Sequence, residues 1–264
     1  MTQAPVPAIL EILTEIERSE RVRICLAVES GSRAWGFPST DSDYDVRFIY
    51  AHHPDWYLSI EDRRDVIERP LTGMVDASGW EIRKALKLFR KSNPPLLEWL
   101  QCPIVYVEKS ALADTLRQLL PRYFSPEAGF YHYLHMARGN FREYLRGERV
   151  WRKKYLYVLR PLLAMRWIEA NRGAVPIEFS RLVDATIDDA QLRATIDELV
   201  TAKRNGNELD DGARVPVISE FIERELARFE ARELNRRESV PPVDELSAVF
   251  RATLDEVWSN PRPA

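Results

Sequence analysis

The chain has 264 residues, enough for one large domain or two small ones. An apolar share of 45% and a charged share of 30% are globular values and exclude a disordered chain. The formal net charge of −3 excludes recruitment of nucleic acid by a global positive field, so such a partner must meet a local basic patch.

In chain order, Met1-Thr2-Gln3-Ala4-Pro5 lacks a basic region and a long apolar core, so no signal peptide is expected. Val6, Ile9, Leu10, Ile12, Leu13 and Ile16 recur at helical spacing and predict a first helix over 6–18. Val22 to Val28 is β-rich and alternating, hence a strand. A long loop follows, then a second strand from Asp45 to Tyr50. Trp56-Tyr57-Leu58 reads as a short lid or connector. Arg64–Arg69 and Met74–Ala77 read as strands around a turn at Pro70 to Gly73. Ser78-Gly79-Trp80-Glu81 has the spacing of a capping box and is expected to open a helix carrying Ile82, Ala85, Leu86 and Phe89. Asn93-Pro94-Pro95 stops it, with Asn93 capping a helical turn at 96–100 and a strand at 104–107 beyond.

Helices are expected at 111–120, 126–146, 150–171, 188–204, 216–237 and 243–258, with a flexible loop at 205–212. The boundary falls near residue 110: an α/β catalytic domain over 1–110, then a helical domain over 111–264 that closes a nucleotide and acceptor cleft. The fold class is therefore α/β (α+β), a small mixed β-sheet flanked by helices and followed by helices. Cys25 and Cys102 form no zinc spacing and no disulfide framework, which fits a reducing cytoplasm. No run reaches the roughly 18 apolar residues of a membrane span.

The loop between the first two strands carries the chemistry. Asp43 and Asp45 lie two apart, so in a strand they share a face. Neighbouring carboxylates repel, and a hard divalent cation such as Mg²⁺ resolves that conflict. Gly31 and Ser32 form a tight turn whose N–H groups suit phosphate oxygens. Arg33 either neutralises phosphate or pairs with Asp41. The bland alternative is an acid-rich surface turn. Trp35 and Phe37 read as loop packing rather than base stacking. Of the candidates for a third carboxylate (Asp65, Asp76 and Glu81), Asp76 precedes the expected helix, whereas Glu81 is explained by capping. Lys153, Tyr157 and Arg160 share a helix face, a cationic and aromatic stripe suited to triphosphate or RNA backbone, or else a plain solvated face. Pro161 should kink or break that helix. His132, His135, His52 and His53 complete no zinc set.

Gly31-Ser32, ten residues, then Asp43-x-Asp45 resembles the signature of the polymerase-β nucleotidyltransferase superfamily. Lys91-Ser92-Asn93-Pro94 with Leu97-Glu98-Trp99-Leu100, and Lys153-Lys154-Tyr155 with Leu159-Arg160-Pro161, narrow the resemblance. Together the blocks resemble the RlaP-like predicted bacterial nucleotidyltransferases associated with RNA repair. The resemblance implies transfer of a nucleoside monophosphate from an NTP, ATP as first choice, to an acceptor hydroxyl on RNA, with pyrophosphate leaving. It also implies Mg²⁺ or Mn²⁺ held by Asp43, Asp45 and Asp76, all three catalytic. Gly31, Ser32, Arg33, Lys153, Tyr157 and Arg160 would bind the nucleotide. The rivals are a non-catalytic nucleotide-binding or antitoxin-like interaction protein, and a nucleotidyltransferase acting on protein or a small molecule.

Overall fold

The computed structural model describes residues 6–206, 211–232 and 242–259. They form two compact units that interleave in sequence. The first unit takes residues 6–34, 42–123 and 242–259; the second takes 35–41, 124–206 and 211–232. The chain therefore does not divide at residue 110. The helix after 110 and the C-terminal helix belong with the sheet, because each buries its apolar side there rather than among the later helices.

The first unit is a five-stranded mixed sheet in the order β3-β4-β2-β1-β5. Its strands are β1 (Val22–Glu29), β2 (Tyr44–His52), β3 (Val66–Thr72), β4 (Val75–Glu81) and β5 (Val105–Glu108). β1 runs antiparallel to β2 and β5, β3 antiparallel to β4, and β2 parallel to β4. Helix α1 (Val6–Ser19) buries Ile9, Leu13 and Ile16 against Val46, Phe48 and Tyr50 of β2 and Val75 and Ala77 of β4. That covers one sheet face and leaves Asp45, Arg47 and Asp76 on the other, by the period of two.

β4 is longer than the sequence predicts. Val75, Ala77, Gly79 and Glu81 alternate as buried positions, so Ser78 to Glu81 continue the strand rather than start a helix. Gly79 has a packing reason: a Cβ there would fall 2.1 Å from the Phe48 ring. Glu81 itself caps α3 (Ile82–Arg90), accepting from the amides of Arg83 and Lys84. Asp76 consequently sits at the start of a strand, not at its end before a helix. Likewise β3 runs through Pro70, which is tolerated because β3 is an edge strand. Gly73, with φ +62°, makes the turn into β4. The far face is covered by α3, α4 (Pro94–Gln101), α5 (Leu112–Tyr123) and, numbered in chain order, α11 (Asp244–Ser259). Asn93 caps α4 as expected.

The second unit is helical: α6 (Pro126–Tyr144), α7 (Lys154–Glu169), α8 (Phe179–Thr186), α9 (Ala190–Arg204) and α10 (Pro216–Glu230), with a two-stranded ribbon of β6 (Arg149–Trp151) and β7 (Asp211–Ala213). α8 and the ribbon have no counterpart in the sequence reading. α7 runs through Pro161 and is buried nearly all round, with Leu156, Val158, Leu159, Leu162 and Leu163 fully enclosed. Residues 35–41 add Phe37 to this core, edge-on to Phe179 at 5.3 Å. Among the described residues, no helix is long and apolar enough to cross a membrane.

Candidate active site

β1 ends on Glu29, and the chain turns through Ser30 into a five-residue helix, α2 (Gly31–Trp35). Two hydrogen bonds lock this turn to β2, and a third ties the start of β2 to the residue before β4. The Ser30 amide donates to the Asp45 carbonyl (2.8 Å), the Asp45 amide to Glu29 Oε1 (2.8 Å), and the Tyr44 amide to the Met74 carbonyl (2.7 Å). Gly31 takes φ +60°, a conformation that glycine adopts without strain. It also makes room: a Cβ there would lie 2.1 Å from Asp45 Oδ2. The Gly-Ser turn and the second aspartate of the pair therefore touch.

Asp45 and Asp76 are direct register partners on the parallel strands β2 and β4. Arg47, two residues along the same face, joins them. Its Nη2 donates to Asp45 Oδ1 at 2.9 Å and to Asp76 Oδ2 at 2.7 Å, while Nη1 donates to the Asp76 carbonyl at 2.9 Å. The aspartate side chains keep 34% and 41% of their surface, so the pair is open to solvent on one side. Burial holds the Asp45 carboxyl above its usual range; Arg47 opposes this, and the charges of Asp76 and Asp43 add to it. Asp43 lies exposed just before β2, and its carbonyl accepts from Arg33. Arg33 also donates to the Ser42 carbonyl (2.6 Å) and lies over the Tyr44 ring. Its observed partners are thus the backbone and ring of the returning loop. Ser32 is buried, its hydroxyl 3.3 Å from that of Ser42.

Sequence reasoning assigned no role to Arg47 or Glu29. Glu29 is only 1% exposed at the end of an apolar strand, and its second oxygen accepts from the Tyr106 hydroxyl. Burial raises the pKa of both groups. A lone acid closing an apolar strand beside a glycine turn was the signal available for Glu29. For Arg47 it was the basic residue two places after Asp45.

The second unit gathers lysines rather than the predicted stripe. Lys153 occupies the N-cap position of α7, its ammonium 5.0 Å from the Trp151 ring centre. Lys154 reaches over Tyr144 (4.2 Å) and Tyr157 (4.9 Å). Lys203 of α9, absent from the sequence reading, lies over Phe37 (5.3 Å) and Tyr157 (5.8 Å). Burial lowers the pKa of Lys203, and Lys153 and Lys154 lower it further, with Asp41 opposing. Arg160 does not share this surface: it is 1% exposed, its guanidinium 4.8 Å from the Trp35 ring centre. Tyr157 meets Trp35 edge-on at 5.4 Å. Trp35 and Phe37 are thus packing residues.

Among the described residues, no three His, Cys, Asp or Glu side chains form a metal-holding cluster. In kind, the donors suit a hard cation. They are carboxylate oxygens whose charges strain one another, and the Asp45 oxygen faces a glycine cradle that a Cβ would fill.

A sheet that sets a Gly-Ser turn against paired aspartates is the arrangement of a polymerase-β-type nucleotidyltransferase. The chain belongs to the RlaP family, the RNA repair pathway DNA polymerase beta family, which it matches over residues 6–252. It is 50% identical over 253 residues to the "Uncharacterized protein YcgL" of Bacillus subtilis (strain 168), covering 96% of this chain and 97% of that one. A solved nucleotidyltransferase-like protein from Exiguobacterium sibiricum 255-15 aligns at 14% identity over 95% of this chain and 89% of its own, with a TM-score of 0.33, too slight a likeness to carry weight.

Proposed function

We propose that this protein is a metal-dependent nucleotidyltransferase that moves a nucleoside monophosphate from an NTP to a hydroxyl on RNA, releasing pyrophosphate. The observation that carries this reading is the pairing of Asp45 with Asp76 across β2 and β4, against the Gly31 turn. Asp43, Asp45 and Asp76 would hold Mg²⁺ or Mn²⁺, which when bound neutralises phosphate charge and acidifies the acceptor hydroxyl. The chain's own part is positioning. Glu29 and Ser30 fix the backbone of Asp45 by hydrogen bonds. Arg47 orients both carboxylates and opposes the effect of burial on Asp45. Gly31 and Ser32 offer amides to phosphate oxygens, and Lys153, Lys154 and Lys203 form a second phosphate-compatible set within the helical unit. ATP is the first choice of NTP, and a cytoplasmic setting fits the buried free thiols of Cys25 and Cys102.

The test is incubation with each α-labelled NTP, Mg²⁺ or Mn²⁺, and total RNA. Label should enter RNA with wild type and not with Asp45→Asn. A second reading, nucleotide binding without turnover, is favoured by one observation: Arg47 already bridges the two carboxylates. Tight NTP binding with no labelled product would select it.

A further inference from the structure

The helical unit has an open groove of about 540 Å³ between α6 and α10. Arg138, Gly139, Arg142 and Arg146 line one wall, and Glu223 and Glu230 the other. We propose that this groove binds the phosphate backbone of single-stranded RNA, with Arg142 and Arg146 as its principal contacts. The inference rests on the RNA acceptor proposed above and adds a site to it.

Both acids in the groove are already neutralised: Glu230 by Arg138 at 2.8 Å, and Glu223 by Arg214. Arg142 and Arg146 are exposed and, among the described residues, have no ion pair. The groove therefore carries two uncommitted guanidinium groups in a chain of net charge −3. Arg142 lies four residues, about 6 Å along the α6 axis, beyond the paired Arg138. Arg146 follows the C-cap residue Leu145 and lines the same groove. Gly139, where a Cβ would meet nothing within 4 Å, leaves the backbone of that wall bare to a ligand. Guanidinium is the group best matched to phosphate oxygens. Phe141 and His135 also line the groove, and base stacking on such rings is sequence-tolerant, so the site reads backbone and not sequence.

The experiment is a salt titration of binding to a fluorescein-labelled single-stranded RNA, followed by anisotropy. Each phosphate contact on a single strand contributes about 0.7 to the slope of log affinity against log salt. Arg142→Gln/Arg146→Gln should lower that slope by about 1.4 and weaken binding, while Arg142→Lys/Arg146→Lys, which keeps the charge, should restore most of both. Circular dichroism confirms that each variant folds. An unchanged slope in the Gln variant overturns the proposal. So does a loss of thermal stability with unchanged RNA affinity, which would mark the arginines as counter-charges to the α6 C-terminus. If RNA binds through the arginines but no nucleotide is transferred, the catalytic reading fails and the groove stands. If nucleotide is transferred to another acceptor and RNA does not bind, the groove fails and catalysis stands.

Discussion

Gly31→Ala is the sharpest perturbation available at the site. The new Cβ would sit 2.1 Å from Asp45 Oδ2 and 3.0 Å from its Cγ, far inside contact distance. Asp45 cannot step back easily. Its amide is bonded to Glu29, its carbonyl to Ser30 and its Oδ1 to Arg47. The carboxylate must therefore leave its rotamer, at about 0.5–1.5 kcal/mol. The left-handed backbone, φ +60°, adds about 1–2 kcal/mol for any residue with a Cβ. The sum is about 1.5–3.5 kcal/mol. Gly73→Ala is the matched control: its φ is +62°, but a Cβ there meets nothing within 4 Å, so only the backbone term applies. Urea denaturation of both variants reads the two costs separately. NTP turnover should fall at least tenfold in Gly31→Ala and stay near wild type in Gly73→Ala. If the two variants lose equal stability and keep equal rates, the contact between the glycine turn and Asp45 has no bearing on function.

Arg47→Met should push the Asp45 carboxyl further above its usual range, because the guanidinium is the main influence lowering it; carboxyl NMR titration of both proteins checks this. Glu29, Asp45 and Glu81 all have folded-state pKa values raised by burial. Their protonated forms are therefore favoured by folding, and that stabilisation is complete below the unfolded carboxylate pKa of about 4 and lost as pH rises through the raised values. Chemical denaturation across pH 4–7 should show this contribution falling with pH, with a smaller fall in Glu29→Gln. Lys203→Met should weaken tripolyphosphate binding about tenfold by calorimetry, near the lower end expected for losing a charged hydrogen bond.

Much of this site was legible because its parts are close in sequence. Gly31, Ser32, Asp43 and Asp45 belong to one strand-loop-strand segment, and the alternation of β1 and β2 locates them. Asp76 was legible as a residue but not in its setting. Ser78 and Glu81 imitate a capping box, whereas the period-two burial of β4 and the fit of Gly79 against Phe48 carry the strand on to Glu81. Arg47 also reaches Asp76 on β4, and Lys203 reaches rings on other elements, pairs that no local period encodes. Arg160 illustrates the converse. Its spacing from Lys153 predicts a shared face, but α7 is enclosed by the helical core, so the guanidinium lies buried beside Trp35. The sequence reading has two domains but not the membership of the two units, because α5 and α11 carry the same kind of helical pattern as α6 to α10. Only tertiary contacts assign them to the sheet.

On the function proposed, the carboxylates paired across β2 and β4 perform nucleotidyl transfer. Pyrophosphate release should be measured from NTP, Mg²⁺ and RNA with wild type, Asp45→Asn and Asp76→Asn, after each variant is shown to melt as wild type does. Wild type should release pyrophosphate steadily, and both variants should lose at least a hundredfold, about 2.7 kcal/mol in the barrier. Full release by either variant would contradict that role.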